Sequence, residues 1–213
     1  MSFRNRVGLF GGTFNPPHAA HLLVAEEALS QMGLAEVVFV PCGIPPHREV
    51  ADGVAKEDRY EMVKRAVSGY PRFSVSRIEI DRGGSSYTID TVRALQGTYP
   101  QGMVFIVGAD LLLGIETWKE PDALLSAVPF LVAPRNGIRR EAFSVPPFTR
   151  GTIRFLEMEE VDLSSSWVRA AARRGESIDG WVPPEVVSYI AERGLYGYRN
   201  KARLRVTETG GRV

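Results

Sequence analysis

All three histidines of this 213-residue chain lie in its first quarter, and each follows closely on a pair of prolines. His18 and His21 stand three residues apart in the stretch "GGTFNPPHAAH", and His47 ends the segment "GIPPH". Side chains three positions apart share one face of a helix, so the first two imidazoles can meet the same ligand. Paired imidazoles can donate hydrogen bonds to phosphate, transfer protons or hold a metal ion.

The residues in front of this pair predict an anion-binding site. The apolar run 6–10 predicts a strand, and Gly11 and Gly12 after it let the backbone turn tightly and approach a ligand closely. A helix is predicted over 19–32, so its free N–H groups and the positive end of its dipole lie beside that turn. A strand end, a glycine turn and a helix start together favour phosphate.

Two other interpretations of the histidines are open. An HxxH pair can bind zinc, with Cys42 or His47 as a third ligand, and a single histidine is most often structural. We favour phosphate because the glycines and the helix start already account for the site. The common phosphate loops GxxxxGK[ST] and GxGxxG do not follow the first strand, and the patterns GxSxG, HExxH and CxxC do not occur.

Short β-branched apolar runs alternate with helical stretches along the whole chain. The predicted strands are 6–10, 36–40, 73–80, 103–107, 129–133 and 153–157. The predicted helices are 19–32, 57–68, 88–97, a pair across 109–126, 165–174 and 184–193. This alternation predicts an α/β fold, a Rossmann-like, doubly wound parallel sheet of five to six strands with helices on both faces. Functional residues should follow the carboxyl ends of its strands.

Composition limits the classes of protein and of partner. With 26 basic and 25 acidic residues, no overall field favours nucleic acid or a membrane. No stretch approaches 18 consecutive apolar residues, no signal peptide is evident, and a single cysteine favours a reducing cytoplasm. We expect one domain over 1–197 and a basic, flexible tail over 198–213. A homo-oligomer is compatible with the sequence, which does not define the oligomeric state.

Six segments resemble, in order, the motifs of the nucleotidylyltransferase superfamily, and within it those of the bacterial nicotinate-nucleotide adenylyltransferase family. They are "GGTFNPPHAAH" (11–21), "PCGIPPHRE" (41–49), "SSYTIDT" (85–91), "GADLLLGIETWKE" (108–120), "DLSSSWVRAA" (162–171) and "VPPEVVSYI" (182–190). The matches run from about residue 7 to 196, nearly the whole chain. Three positions depart from the pattern: Ala20 replaces a glycine, Arg48 a lysine and Ser166 a threonine.

The resemblance implies transfer of AMP from ATP to the phosphate of nicotinate mononucleotide, giving nicotinate adenine dinucleotide and pyrophosphate in NAD biosynthesis. The acceptor phosphate is already an anionic nucleophile, so the reaction needs in-line positioning and charge stabilisation but no covalent intermediate. Mg²⁺ would be carried by the ATP phosphates, and we therefore assign it no protein ligand.

The resemblance also implies the roles of individual residues. Catalytic roles fall on His18, His21, Arg48 and Arg169. ATP binding falls on Gly11, Gly12, Thr13, Phe14, His18, His21, Gly108, Asp110, Arg135, Ser164, Ser165 and Arg169. Binding of nicotinate mononucleotide falls on Asn15, His47, Arg48, Tyr87, Thr88 and Trp118. We expect phosphate to raise the pKa of either imidazole that it contacts.

Two alternatives remain open for the function. The first is an adenylyltransferase that prefers nicotinamide mononucleotide or another phosphate acceptor, such as phosphopantetheine. The second is a nucleotide-binding regulator of the same fold without catalysis, which the intact His18, His21, Arg48 and Arg169 disfavour. For each of these functions we expect small-molecule partners. For the favoured function they are ATP and nicotinate mononucleotide.

Overall fold

The structure, a computed structural model, describes residues 2–46, 49–135 and 137–198. These residues form a six-stranded sheet in the order β3-β2-β1-β4-β5-β6, with every neighbouring pair parallel. The strands are β1 Val7–Gly12, β2 Glu36–Pro41, β3 Phe73–Val75, β4 Met103–Gly108, β5 Phe130–Ala133 and β6 Ile153–Phe155. The order reverses between β1 and β4, and such sheets bind ligands at the carboxyl ends of the strands at that point.

Helices cover both faces of this sheet, which confirms the predicted doubly wound α/β fold. They are α1 Ala19–Met32, α2 Lys56–Val67, α3 Ile78–Arg82, α4 Thr88–Leu95, α5 Ala109–Leu113, α6 Pro121–Ala127, α7 Ser165–Arg173 and α8 Pro184–Arg193. Apolar residues of α1, α2, α7 and α8 share one core with Phe10. Those of α4, α5 and α6 share a second core with Val7 and Leu9, which alternate with Phe10 along β1.

Local sequence signals set several helix ends where we expected them. Ser164 precedes α7, and its Oγ accepts a hydrogen bond of 3.2 Å from the backbone N–H of Trp167. Helix α8 begins with Pro184 and ends at Arg193. The next residue, Gly194, has a φ of 60°, the left-handed conformation typical of a residue past a helix end.

The prediction of a single strand over 73–80 is wrong beyond Val75. The alternation of Ile78 and Ile80 is typical of a strand, but these residues lie in α3. Arg77 and Asp81 form an ion pair of 3.0 Å at a spacing of four residues, which suits a helix. Strand β3 lies at the edge of the sheet and pairs with β2 through only three residues.

The predicted helix pair across 109–126 is present as α5 and α6, separated by the 3₁₀ turn Ile115–Thr117. No helix of the described residues is long and apolar enough to cross a membrane. The predicted basic tail, apart from its first residue Tyr198, lies outside the described residues.

Candidate active site

A cleft of about 400 Å³ opens at the carboxyl ends of β1, β4 and β5, where the strand order reverses. All the predicted ATP-binding residues except Ser164 line it, and so does Asn15, which we predicted on the acceptor side. The predicted residues that the structure brings together here are Gly11, Gly12, Thr13, Phe14, Asn15, His18, His21, Gly108, Asp110, Arg135, Ser165 and Arg169.

The two glycines after β1 are needed because aromatic rings pack directly against them. A Cβ atom on Gly11 would lie 2.8 Å from Cζ of Phe105, and one on Gly12 would lie 2.9 Å from Cζ of Phe14. Both distances are shorter than a carbon–carbon contact. The ring of Phe14 also stands edge-on to the imidazole of His21, with 5.0 Å between ring centroids. The glycines thus let Phe14 form a wall beside the histidines.

The N-termini of α1 and α7 both lie at this cleft. Ser165, the first residue of α7, donates a hydrogen bond of 2.9 Å from its hydroxyl to the carbonyl of Pro16, just before α1. Ser164 does not line the cleft, and its hydroxyl caps α7 instead. Two helix N-termini bring two positive dipole ends to the cleft, which makes this end suited to a polyphosphate.

The two histidines form a close pair at the start of α1. Their ring centroids are 3.8 Å apart, and the backbone N–H of His18 donates to Nδ1 of His21 at 3.2 Å. A nitrogen that accepts a hydrogen bond carries no proton, so the neutral His21 ring holds its proton on Nε2. His18 is buried, with 4% of its surface exposed, and its Nδ1 has no hydrogen-bond partner among the described residues.

Burial keeps both imidazoles neutral. Burial, and then the nearby charge of Arg135, lowers the pKa of His18 to about 3. Burial, then His18 and then Arg135, lower the pKa of His21 well below its usual value. Without a bound anion, each ring is therefore a neutral donor of one N–H group at neutral pH. The negative charge of a bound phosphate would favour the protonated form of each ring and raise each pKa again.

Two arginines bring positive charge to the cleft, and the backbone holds both of them. Arg169 donates from Nη1 to the carbonyl of Asn15 at 2.8 Å, and its Nε lies 3.0 Å from Oδ2 of Asp52 in an ion pair. Arg135 donates from Nη1 to the carbonyl of Leu163 at 3.1 Å, just before α7. Their side chains are thus fixed beside the two helix N-termini before any ligand binds.

Three of the predicted acceptor residues lie outside the cleft lining. Tyr87 and Thr88 stand at the start of α4, and Trp118 follows the 3₁₀ turn after α5. The ring of Trp118 stands edge-on to Phe105, with 6.4 Å between centroids, and Phe105 packs against Gly11. Phe105 therefore lies between Trp118 and the backbone at the end of β1.

The remaining two acceptor predictions, His47 and Arg48, lie outside the described residues. Both polar atoms of the Asn15 side chain form hydrogen bonds within the protein. Its Nδ2 donates to the carbonyl of Ala51 at 2.8 Å, and its Oδ1 accepts from the hydroxyl of Tyr196 at 2.7 Å.

Sequence reasoning missed Arg59, a residue of α2 that is 1% exposed. Its guanidinium donates to the carbonyls of Thr13 at 3.1 Å, of Gly43 at 2.7 Å and of Cys42. One side chain therefore joins the loops after β1 and β2 and offsets the negative ends of their carbonyl dipoles. The sequence does offer one signal for its burial: Arg59 stands three residues before Met62, on the same buried face of α2.

A buried carboxyl group, Glu79, supports the same loop from the other side. The hydroxyl of Thr91 donates to it at 2.6 Å, and burial raises its pKa although hydrogen bonds from Thr91 and Ser86 oppose that shift. Oγ of Ser86 accepts from the backbone N–H of Gly43 at 2.9 Å. Glu79 thus links the loop after β2 to α4, which carries Thr88.

Comparison with known proteins gives the class to which this fold and cleft belong. The model of the family described as cytidylyltransferase-like matches residues 9–171, from β1 to α7. That range contains every described residue of the cleft. The class is therefore that of the cytidylyltransferase-like nucleotidyltransferases.

Curated relatives narrow the class. The chain is 44% identical over 197 residues to the probable nicotinate-nucleotide adenylyltransferase of Shouchella clausii, covering 92% of this chain and 99% of that one. It is 38% identical to the nicotinate-nucleotide adenylyltransferase of Bacillus subtilis, covering 90% and 98%. The chain belongs to the nicotinate-nucleotide adenylyltransferase family.

A solved structure supports the fold at greater distance. The Plasmodium falciparum nicotinic acid mononucleotide adenylyltransferase complexed with NaAD superposes with a TM-score of 0.77 at 17% identity. The match covers 92% of this chain and 99% of that one.

Proposed function

We propose that the cleft transfers AMP from ATP to nicotinate mononucleotide, giving nicotinate adenine dinucleotide and pyrophosphate. The observation that carries this proposal is the convergence of two helix N-termini, two neutral imidazoles and Arg169 at one end of the cleft. The proposal is also supported by a relative named for this activity, which is 44% identical to this chain over 92% of its length.

The chemistry that this arrangement supports is a direct in-line displacement. An oxygen of the acceptor phosphate attacks the α-phosphorus of ATP, and the bond to the oxygen that bridges the α- and β-phosphates breaks. That bridging oxygen leaves with the electron pair as part of pyrophosphate, so no proton transfer is needed. Nε2–H of His21 donates to an α-phosphate oxygen, and Arg169 offsets the charge on the leaving pyrophosphate. His18 adds a second donor beside the first.

Mg²⁺ would be carried by the phosphates of ATP and would supply charge neutralisation there. The donor set of the cleft fits a metal ion that arrives bound to ATP, because Arg135, Arg169 and the two imidazoles are groups that donate to phosphate oxygens. Mg²⁺ commonly keeps several waters and binds through substrate phosphates.

We assign the pyridine ring of the acceptor to the region next to the cleft, on the far side of Phe105 from the end of β1. Tyr87 and Trp118 would frame the pyridine ring, and the Thr88 hydroxyl or nearby backbone N–H groups would bind its carboxylate. His47 and Arg48 would hold the acceptor phosphate, and Asp110 a ribose hydroxyl. The single cysteine supports action in a reducing cytoplasm.

Product analysis tests the proposal. The purified protein is mixed with ATP, MgCl₂ and either nicotinate or nicotinamide mononucleotide, and dinucleotide and pyrophosphate are measured together. We expect equal amounts of both products with the nicotinate substrate and much slower turnover with the nicotinamide one. Equal rates with the two acceptors would refute the acceptor preference. ATP binding without pyrophosphate release would favour a regulator of the same fold.

A further inference from the structure

The turn Ala51–Gly53, which follows the loop after β2, has two residues outside the cleft lining, Asp52 and Gly53. Glu49, Val50 and Ala51 line the cleft. Asp52 does not, and it lines a neighbouring hollow of about 550 Å³. Arg169 lines the cleft and not that hollow. Asp52 therefore contacts Arg169 from the side of that hollow.

The carboxylate of Asp52 binds two arginines that lie one helical turn apart on α7. Oδ2 is 3.0 Å from Nε of Arg169, and Oδ1 forms an ion pair with Nη2 of Arg173. The Asp52 and Arg169 side chains are only 19% and 13% exposed, whereas that of Arg173 is 51% exposed. Solvent therefore screens the Arg173 pair more strongly than the Arg169 pair.

These contacts fix the direction of the Arg169 guanidinium. The carbonyl of Asn15 accepts from Nη1, and Oγ of Ser166 accepts from Nη2 at 3.2 Å. Oδ2 of Asp52 forms an ion pair with Nε without the geometry of a hydrogen bond, so Asp52 holds Arg169 by charge attraction. Arginine otherwise loses considerable rotamer freedom when it binds an anion. The carboxylate also separates two like charges on α7. It offsets one of them, so one net positive charge remains.

The same turn is tied to the loop before α1. The side chain of Asn15 donates from Nδ2 to the carbonyl of Ala51, and the backbone carbonyl of Asn15 accepts from Arg169. The turn Ala51–Gly53 is thus joined to the ATP side of the cleft at two points, through Asn15 and through Arg169.

We propose that Asp52 is a positioning residue for adenylyl transfer: it holds Arg169 from the side of the hollow, so that the guanidinium already faces the phosphates that leave as pyrophosphate. This proposal rests on the proposed function. It predicts that removing the negative charge of Asp52 weakens binding of ATP, although the change makes the region more positive.

The test compares D52N with the matched control R173Q, which breaks the other ion pair of the same carboxylate. ATP binding is measured by calorimetry, and kcat and KM are measured for each substrate. We expect D52N to weaken ATP binding and to lower kcat/KM for ATP by about tenfold, with KM for nicotinate mononucleotide changed less than about twofold. D52E should recover part of the loss, and R173Q should stay within about twofold of the wild type.

A double-mutant cycle separates positioning from a general structural effect. In an R169Q background, D52N should cause little further loss, because Asp52 acts through Arg169. Equal losses in the two backgrounds, equal losses in D52N and R173Q, or tighter ATP binding by D52N would each overturn the proposal. ATP binding measured by calorimetry does not depend on turnover. Failure of the Asp52 proposal can therefore be distinguished from failure of the proposed function, in which the wild type would make no dinucleotide.

Discussion

The two nitrogens of His21 have different tasks, and two substitutions can separate them. Nδ1 accepts from the backbone N–H of His18 at 3.2 Å, which supports the start of α1, while Nε2 carries the proton offered to phosphate. An asparagine places its oxygen near the position of Nδ1, and a glutamine places its amide near that of Nε2. H21N therefore keeps the backbone contact and loses the donor, and H21Q does the reverse.

The expected magnitudes follow from these contacts. Loss of one donor to a developing charge costs about 100- to 1000-fold in kcat, so H21N should lose that much turnover. Its free energy of unfolding should stay within about 0.5 kcal/mol of the wild type. H21Q leaves the N–H of His18 without its acceptor and should lose about 1–3 kcal/mol of stability. It should keep turnover within about tenfold of the wild type.

Pyrophosphate release gives kcat, and urea unfolding gives the stability of the same preparations. Each variant is the control for the other, because both remove the imidazole ring and its stacking with His18. Wild-type turnover by H21N would contradict the assignment of the two nitrogens. So would an H21Q variant that is both slower and more stable than H21N.

Three further predictions concern other buried groups of the site. H18A should lose most turnover while its circular dichroism stays that of the wild type; near wild-type turnover would remove His18 from the site. R59M should lose about 3–5 kcal/mol of stability, because three carbonyls lose a charged donor, whereas K64M on the same helix should change it by less than about 0.5 kcal/mol. Similar losses in the two would contradict the role of Arg59. The pKa of His18 is lowered from 6.5 to about 3, so the unfolded chain binds the extra proton below pH 6.5. This contribution to stability is complete above pH 6.5 and is lost, by about 1.4 kcal/mol per pH unit, as the pH falls towards 3. Urea unfolding should show a shallower pH slope in H18A, and an unchanged slope would contradict the assignment.

The order of elements could be predicted because burial on both faces and helical periodicity are visible locally. The bounds of α1 agree with the prediction, and the ends of α7 and α8 follow from Ser164, Pro184 and Gly194. The sequence predicts too long a strand at β3, because the spacing of Ile78 and Ile80 fits the alternation of a strand as well as a turn of helix. The alternating pattern does not show that Glu79 of α3 is buried and bonded to Thr91, a contact with α4.

The positions of the predicted cleft residues follow from topology, because the carboxyl ends of parallel strands meet at one edge. The residues that support them could not be found in this way. Arg59 binds backbone carbonyls, which have no sequence signature. Asp52 meets Arg173 across 121 residues of chain, and Asn15 meets Tyr196 across 181. Such pairs arise only when the fold brings the distant segments together.

A crystal structure with a non-hydrolysable ATP analogue tests the central claim most directly, through the distance from Nε2 of His21 to the α-phosphate. We predict an α-phosphate oxygen within hydrogen-bond distance of this nitrogen, about 2.7–3.2 Å, with Arg169 beside the β- and γ-phosphates. An analogue whose phosphates lie away from the N-termini of α1 and α7 would contradict the account.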